Sequence, residues 1–325
     1  MSLVISPSPH IHSGDSTRKI MRDVVIALLP AFCFSVYLYG LQALLVTGVA
    51  IAACMIIEWF IDRVMLRRKN TVSDLSAVVT GMLLAFNLPS NISLWLVALA
   101  ALVAIGIGKM SFGGLGCNIF NPALVGRVFL LISFPAQMTV FPDSPTVDSV
   151  TGATPLKLIH MALVRDIPMN EALSQVSLSD LMIGFKTGSL GEVAGILLLL
   201  GGLYLLIRKV ITWQIPVVTL GSIALFTLTM WLIDPTHYAS PVFHIFSGGA
   251  LLGAIFMATD YVTSPMSKKG MAIFGIGIGV ITVLIRLWGA YPEGISFAIL
   301  IMNATVPLLN KYIKPRRFGE IAKSK

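Results

Sequence analysis

Two short apolar stretches decide the fold of this chain, because each ends in a polar break that contains or precedes proline. Residues 79–89 read Val-Thr-Gly-Met-Leu-Leu-Ala-Phe-Asn-Leu-Pro, and residues 249–260 read Gly-Ala-Leu-Leu-Gly-Ala-Ile-Phe-Met-Ala-Thr-Asp, with Pro265 soon after. A helix needs about 20 apolar residues to cross the hydrocarbon core of a bilayer. Shorter, interrupted segments are expected inside a helix bundle, where neighbouring groups satisfy the freed backbone.

The composition of the whole chain indicates an all-α polytopic membrane protein. Of its 325 residues, 56% are hydrophobic and 12% are charged, and the mean hydropathy is +0.87. Soluble domains carry about 25% charged residues. The net charge of +8 does not indicate a nucleic-acid partner, because the basic residues cluster in short loops between apolar runs.

Ten apolar segments are predicted to span the bilayer, and several of them are short or contain glycine or proline. The segments comprise residues 24–39, 41–61, 75–88, 94–108, 118–134, 191–207, 211–233, 243–259, 271–288 and 295–309.

The basic residues predict the orientation of these segments. Lys157, Arg165 and Lys186 are the only Lys or Arg residues assigned to one side; Arg127 and Arg286 fall inside spans, and all the others lie on the opposite side. Because short cytoplasmic loops carry the excess of Lys and Arg, both termini are predicted to be cytoplasmic. The interval 135–190, which contains Thr154, then lies on the outer face.

An even number of spans permits two halves of five, split near residue 191. An odd number of spans in each half gives the halves opposite orientations, as in inverted-repeat transporters, and the similarity of the two opening stretches supports this arrangement. The predicted organisation is a cytoplasmic segment 1–22, a first repeat 23–135, an outer loop 136–190, a second repeat 191–310 and a basic cytoplasmic tail 311–325.

The glycine-rich loop 112–122 is the first candidate binding site. It reads Phe-Gly-Gly-Leu-Gly-Cys-Asn-Ile-Phe-Asn-Pro and joins the fourth and fifth spans. Glycines permit close backbone approach, and the start of the fifth span offers unpaired N–H groups. Gly113, Gly114, Asn118 and Asn121 could therefore bind an anionic or ring-shaped ligand such as a flavin or a quinone head. The same pattern is equally consistent with a loop that packs two helices closely.

Charged residues inside the bilayer are costly and are candidate functional residues. Glu58 and Asp62 lie one turn apart, where Arg63 could pair with either of them in a surface salt bridge. Arg127 and Arg286 could form internal ion pairs, anchor helix ends or contact a cofactor. Asp260 and Tyr261, at the break after the eighth span, could coordinate a cation or handle protons, or could simply form a solvated helix end.

Residues 148–154, Asp-Ser-Val-Thr-Gly-Ala-Thr, lie in the middle of the longest polar interval. Taken alone, they resemble a turn or a helix start, because Gly152 frees the backbone and Pro155 suits a first helical position. Elsewhere, the cysteines lack CxxC spacing and the histidines are scattered, so neither a metal centre nor a complete catalytic site is predicted. We expect solvated or interfacial roles for His160, His237 and His244.

Three motifs together resemble the NqrB/RnfD family, the membrane subunits of the Rnf electron-transport complex and of the related sodium-pumping NADH:quinone reductase. They are Asp148-x-x-Thr151-Gly152-Ala153-Thr154, the run from Phe112 through Asn121-Pro122-Ala123-Leu124 to Arg127, and the stretch from Ser247-Gly248-Gly249 to Asp260. The resemblance covers nearly the whole chain.

The resemblance implies a urea-transporter-like inverted-repeat fold and FMN joined through its phosphate to Thr154. Gly152 and Ala153 are small enough to let a flavin transferase reach the hydroxyl, and the phosphoester leaves the redox-active ring free to enter the helix bundle. The resemblance also implies a noncovalent riboflavin nearer the cytoplasmic side, for which residues 113–122 are the expected neighbourhood.

The length of the chain favours the RnfD branch, because the quinone reductase member of the family has a longer N-terminal extension. The resemblance then implies a multi-pass protein of the prokaryotic cytoplasmic membrane that relays electrons between ferredoxin and NAD within a complex, coupled to Na⁺ or H⁺ transport. Ferredoxin and NAD are expected to react on other subunits, because this chain has no Fe–S cysteine pattern and no dinucleotide fingerprint. Alternatives are the NqrB component of the quinone reductase, a non-redox solute channel of the same fold, and a structural anchor.

Overall fold

The computed structural model describes residues 16–67, 71–141, 154–174, 176–193 and 195–314, and this part of the chain is all-helical. The first half contains α1 (Thr17–Tyr39), α2 (Leu41–Phe60, continued by a π-helical turn at Ile61–Met65), α3 (Ser76–Phe86), α4 (Leu94–Leu102, continued at Val103–Ile107), α5 (Pro122–Ser133) and α6 (Pro135–Thr139). The connecting region contains α7 (Pro155–Arg165), α8 (Met169–Ala172) and α9 (Leu178–Ile183). The second half contains α10 (Gly195–Ile207), α11 (Gln214–Ile233), α12 (Pro241–Phe246), α13 (Ala250–Leu252, continued at Gly253–Met257), α14 (Lys268–Trp288) and α15 (Ile295–Tyr312).

The helices confirm a polytopic membrane protein. Within the described residues, six helices are long and apolar enough to cross a bilayer, and α3, α5 and α10 are shorter apolar helices. The broken pair α12 and α13 completes ten elements, in the order in which the sequence predicts ten spans. The eighth predicted span, 243–259, is therefore wrong as one continuous helix, because Ser247 to Gly249 separate two short helices and Gly248 has a positive φ of 67°.

Two helix starts differ from the prediction because capping side chains fix them. The first helix begins at Thr17, seven residues before the predicted span, since the Ser16 side chain accepts a hydrogen bond from the Lys19 backbone N–H. The fifth begins at Pro122 rather than at residue 118. Asn121 caps it by accepting hydrogen bonds from the backbone N–H groups of Ala123 and Leu124. Both starts follow the usual preference of Ser and Asn for the N-cap.

Contacts between loops define two ends of the bundle. At one end, which we call the Thr154 end, the backbone N–H of Leu190 donates to the Leu88 carbonyl. The backbone N–H of Met169 donates to the Thr236 carbonyl at the same end. At the other, the terminal end, Arg208 pairs with Asp23 at 3.1 Å. The described chain begins and stops at the terminal end, at residues 16 and 314.

Helices pack against one another both within each predicted half and between the halves. In the first half α2 packs against α3 and α4, and in the second half α11 packs against α12 and α14. Two pairs of helices in equivalent positions join the halves, namely α1 with α10 and α5 with α15. This matching pattern of contacts is what two structural repeats of five elements would produce.

Buried cationic side chains donate hydrogen bonds to the backbone carbonyls at the helix break between α12 and α13. Arg286, which is 1% exposed, donates to the carbonyls of His244 and Ser247, and Lys186 donates to the carbonyl of Phe246. Of the roles considered for Arg286, the structure therefore shows the anchoring of a helix end. Unsatisfied carbonyls at this depth would cost several kcal/mol each.

Close packing between the halves generates the first prediction. A Cβ at Gly201 in α10 would lie 2.3 Å from the carbonyl oxygen of Ala27 in α1, whereas a Cβ at Gly221 in α11 would meet nothing within 4 Å. We expect Gly201→Ala to destabilise the protein by about 1–3 kcal/mol through overpacking. Gly221→Ala, the matched control, should leave stability unchanged or slightly raised. Thermal unfolding of the purified protein in detergent measures both, and equal midpoints would contradict this packing.

Candidate functional site

Thr154 begins the helix that crosses the Thr154 end of the bundle. Its backbone is extended (φ −64°, ψ 149°), and its Oγ1 accepts a hydrogen bond from the backbone N–H of Lys157 at 3.2 Å. Pro155 occupies the first helical position of α7, as the sequence suggests. The residue is 5% exposed in this arrangement.

A cavity of about 260 Å³ opens beside Thr154. We call it the Thr154 cavity. This volume is about twenty times the ~10–15 Å³ needed to hold one water molecule. The lining residues come from the ends of α3 and α5, from α6 and α7 and from the turn between α14 and α15: Asn87, Arg127, Leu131, Met138, Thr139, Phe141, Thr154, Lys157, His160, Met161, Ala290, Tyr291, Pro292 and Glu293.

Arg127 forms the polar floor of this cavity. The side chain is 4% exposed, and its Nη1 donates to Asn87 Oδ1 at 2.8 Å and to the Ser296 hydroxyl. Its Nη2 forms an ion pair with the carboxylate of Glu293, which is 15% exposed. Arg127 Nε is buried and has no hydrogen-bond partner among the described residues. The structure therefore gives Arg127 both the internal ion pair and a place in a cavity wall.

A second cavity, of about 90 Å³, lies at the terminal end and contains Asp260. We call it the Asp260 cavity. The carboxylate of Asp260 accepts a hydrogen bond from Thr263 Oγ1 at 3.1 Å, and the Tyr261 hydroxyl donates to the Val210 carbonyl. The remaining lining residues include Asn118, Asn121 and Lys109, together with apolar residues of α1, α3, α10 and the turn after α13.

The structure divides the residues of the glycine-rich loop by role. Asn118 and Asn121 reach the Asp260 cavity, whereas Gly113 and Gly114 do not line it. Both glycines have positive φ angles, 118° and 100°, so they serve to turn the loop. The predicted binding residues thus separate into two places, with Arg127 near Thr154 and the two asparagines near Asp260.

Glu58 has a different partner from the one predicted. Arg63 is exposed, and Lys109 Nζ instead lies 2.7 Å from Glu58 Oε2 and 2.7 Å from the Ser76 hydroxyl. The Glu58 side chain is 0% exposed and that of Lys109 is 2% exposed, so this is a buried ion pair and the predicted surface pairing is wrong. Glu58 does not line the Asp260 cavity, but Lys109 does.

A short run of polar contacts lies between the two cavities. Asn87, in the wall of the Thr154 cavity, contacts the sulfur of Met257 at 3.6 Å through its amide nitrogen. Asn121, in the wall of the Asp260 cavity, donates to the Met257 carbonyl at 3.1 Å. With its amide reoriented, Asn303 on α15 accepts from the backbone N–H of Asn121 at 3.1 Å and donates to the Thr263 carbonyl.

The remaining predicted residues have mixed outcomes. Asp148, Thr151, Gly152 and Ala153 lie outside the described residues. His160 is half-buried in the Thr154 cavity and contacts the Gly289 carbonyl at 3.1 Å. Of the solvated or interfacial roles predicted for His244, the solvated one is wrong, because this residue is 1% exposed beside the helix break.

Comparison with known proteins gives a consistent result. The sequence profile of the NQR2, RnfD, RnfE family matches residues 4–319. The chain is 44% identical to the D component of the Na⁺-translocating ferredoxin:NAD⁺ oxidoreductase complex of Acetobacterium woodii, over 98% of this chain and 96% of the relative. It is 43% identical to the D component of the proton-translocating ferredoxin:NAD⁺ oxidoreductase complex of Clostridium ljungdahlii, over 97% of this chain and 96% of the relative. It is 38% identical to the D component of the ion-translocating oxidoreductase complex of Halorhodospira halophila, over 96% of this chain and 94% of the relative.

The buried pair of Glu58 and Lys109 generates a second prediction. Lys109→Met should lower the free energy of unfolding by about 3–5 kcal/mol, because it leaves Glu58 as an uncompensated buried charge. The double variant Glu58→Gln/Lys109→Met should recover much of this loss. The exposed Lys269→Met is the control, with an effect within about 0.5 kcal/mol. Chemical unfolding in detergent measures these values, and a Lys109→Met protein as stable as the control would contradict the pairing.

Proposed function

Since this chain belongs to the NQR2, RnfD, RnfE family, we propose that it is the RnfD component of an ion-translocating ferredoxin:NAD⁺ oxidoreductase of the Rnf type. In this proposal it relays electrons through FMN joined to Thr154 by a phosphoester. The relatives named above are D components of ion-translocating oxidoreductase complexes, and the chain matches each of them over nearly its full length.

The observation that carries the FMN proposal is the position of Thr154 in the wall of a cavity. A phosphoester at its hydroxyl oxygen keeps the phosphate at the rim, so only the ring has to enter. The volume of about 260 Å³ is close to the lower end of the ~300–1,000 Å³ of small-molecule pockets. Tyr291 offers an aromatic surface, and Arg127 contributes a cationic side chain to the wall. These residues fit a flavin ring.

When bound, FMN supplies the ability to accept and release electrons. The residues of this chain would hold and orient the group. The N-terminus of α7 lies at the attachment oxygen, to which the Lys157 backbone N–H already donates, and the positive end of the helix dipole there favours a phosphate. Arg127, held by Asn87, Ser296 and Glu293, would donate to the polar edge of the ring.

Riboflavin remains a prediction from the family resemblance. The Asp260 cavity contains Asn118 and Asn121, the residues expected near it, but its volume of about 90 Å³ does not accommodate a tricyclic ring. We therefore assign no step to riboflavin there. A hydrated cation or water molecules suit the size and the carboxylate of this cavity better, and we propose that Asp260, with Tyr261 and the Glu58–Lys109 pair nearby, lies on the ion path.

The charge distribution supports an orientation with the terminal end in the cytoplasm. Arg22, Arg63, Arg208 and Lys268 lie in segments of the terminal end, whereas the Thr154 end carries Lys157, Arg165 and Lys186. On this basis we propose a multi-pass protein of the prokaryotic cytoplasmic membrane, oriented by the positive-inside rule with Thr154 on the outer face. The partners are the other Rnf subunits, which would react with ferredoxin and NAD⁺, and a flavin transferase that acts from the outer side.

Covalent flavin is the third prediction. After denaturing electrophoresis of protein expressed with its flavin transferase, the wild-type band should fluoresce and the Thr154→Val band should not. Thr154→Ser, which keeps a hydroxyl, and Thr151→Val should both retain fluorescence. A wild-type band without fluorescence would refute the FMN proposal and favour a solute channel or a structural anchor. Loss of fluorescence in Thr151→Val alone would show that the flavin is attached to Thr151.

The ion path generates the fourth prediction. In proteoliposomes that contain the complete complex, Asp260→Asn should slow ion uptake at least tenfold while the covalent flavin content stays at the wild-type level. Asp180→Asn, an exposed carboxylate on α9, is the matched control. Uptake measured with and without sodium also identifies the ion, since similar relatives are named for sodium and for protons. If the Asp260→Asn complex takes up ions at the wild-type rate, Asp260 does not lie on the ion path.

A further inference from the structure

We propose that Glu293, through its ion pair with Arg127, sets the charge at the floor of the Thr154 cavity and thereby the reduction potential of the flavin. This inference rests on the proposed attachment of FMN to Thr154. It assigns a role to a residue that lies in the turn between α14 and α15, at residues 289–294, and that belongs to none of the motifs in the sequence.

The position of the Arg127 guanidinium is fixed by both halves of the fold. Asn87 on the first half accepts from Nη1 at 2.8 Å, and Ser296 and Glu293 on the second half accept from Nη1 and Nη2. Because three acceptors hold the group and it is 4% exposed, it cannot turn away when a ligand binds. The guanidinium therefore keeps its charge in one place beside the cavity.

The charged residues around the cavity explain why the carboxylate of Glu293 affects the electrostatic potential inside it. Among the described lining residues, Arg127 and Lys157 are cationic and Glu293 is anionic. With the ion pair intact, the charges of Arg127 and Glu293 largely cancel at a distance. Removal of the carboxylate leaves the buried guanidinium without its ion-pair partner, so that only the charge of the buried Glu192 still offsets it, in a place where charges are weakly screened.

The flavin ring responds to this charge because reduction makes it more electron-rich. A two-electron reduction adds two electrons and one or two protons, and when one proton is taken up the ring gains a negative charge. A nearby cation favours the reduced form and a nearby carboxylate favours the oxidised form. The protein thus tunes the cofactor through electrostatics around the ring. In wild type, Glu293 moderates the effect of Arg127 and keeps the potential lower than the guanidinium alone would set it.

The test is a spectroelectrochemical titration of the covalent flavin in the purified complex. Glu293→Gln should shift the equilibrium toward the reduced flavin by at least tenfold, which for a two-electron couple is about 30 mV upward. Glu293→Asp keeps the charge and should stay near wild type. Glu171→Gln, an exposed carboxylate on α8 at the same end of the bundle, is the matched control with no shift.

The outcomes separate this inference from the proposed function. Full covalent flavin with an unchanged or lowered potential in Glu293→Gln overturns the inference alone. Equal shifts in Glu293→Gln and Glu293→Asp would show that packing, not charge, is responsible, and would also overturn it. Absence of covalent flavin from the wild-type complex refutes the proposed function, and the inference falls with it.

Discussion

The need to satisfy backbone carbonyls inside an apolar bundle is the constraint on which this structure depends. The break between α12 and α13 exposes the carbonyls of His244, Phe246 and Ser247, and Arg286 and Lys186 supply the donors. Broken helices persist at membrane depth only where protein buries them and satisfies their polar groups. A Cβ at Gly248 would lie 2.9 Å from Leu156 and 3.0 Å from Arg286, and the positive φ of 67° also favours glycine at this position.

The same break brings the two candidate sites together. Gly249, next in the turn, lies beside Arg127, and Leu156 of α7 packs against Gly248, so the helix that begins at Thr154 rests on the break. Met257, at the end of the second short helix, separates Asn87 from Asn121 and therefore one cavity from the other. Each cavity takes residues from both halves. A movement of one half against the other would change both cavities at once.

The sequence predicts the elements well and the contacts between them poorly. Apolar runs and glycine or proline interruptions locate ten elements, because hydrophobicity and helix capping are local properties. Arg127 and Asp260 are recognisable because a charge in an apolar run is unusual. The importance of Glu293 is not recognisable, since it lies in a polar turn and its partner is far away in the chain. The pairing of Lys109 with Glu58 is hidden for the same reason, because Arg63 is nearer in sequence and only the fold brings Lys109 to the carboxylate.

Mass spectrometry of the tryptic peptide 128–157 tests the central claim, that Thr154 carries the flavin at the mouth of this cavity. We predict a peptide heavier than the unmodified one by the mass of FMN less one water, with fragment ions that place the addition on Thr154. An unmodified peptide from protein matured with its flavin transferase, or an addition on another residue, would contradict the account.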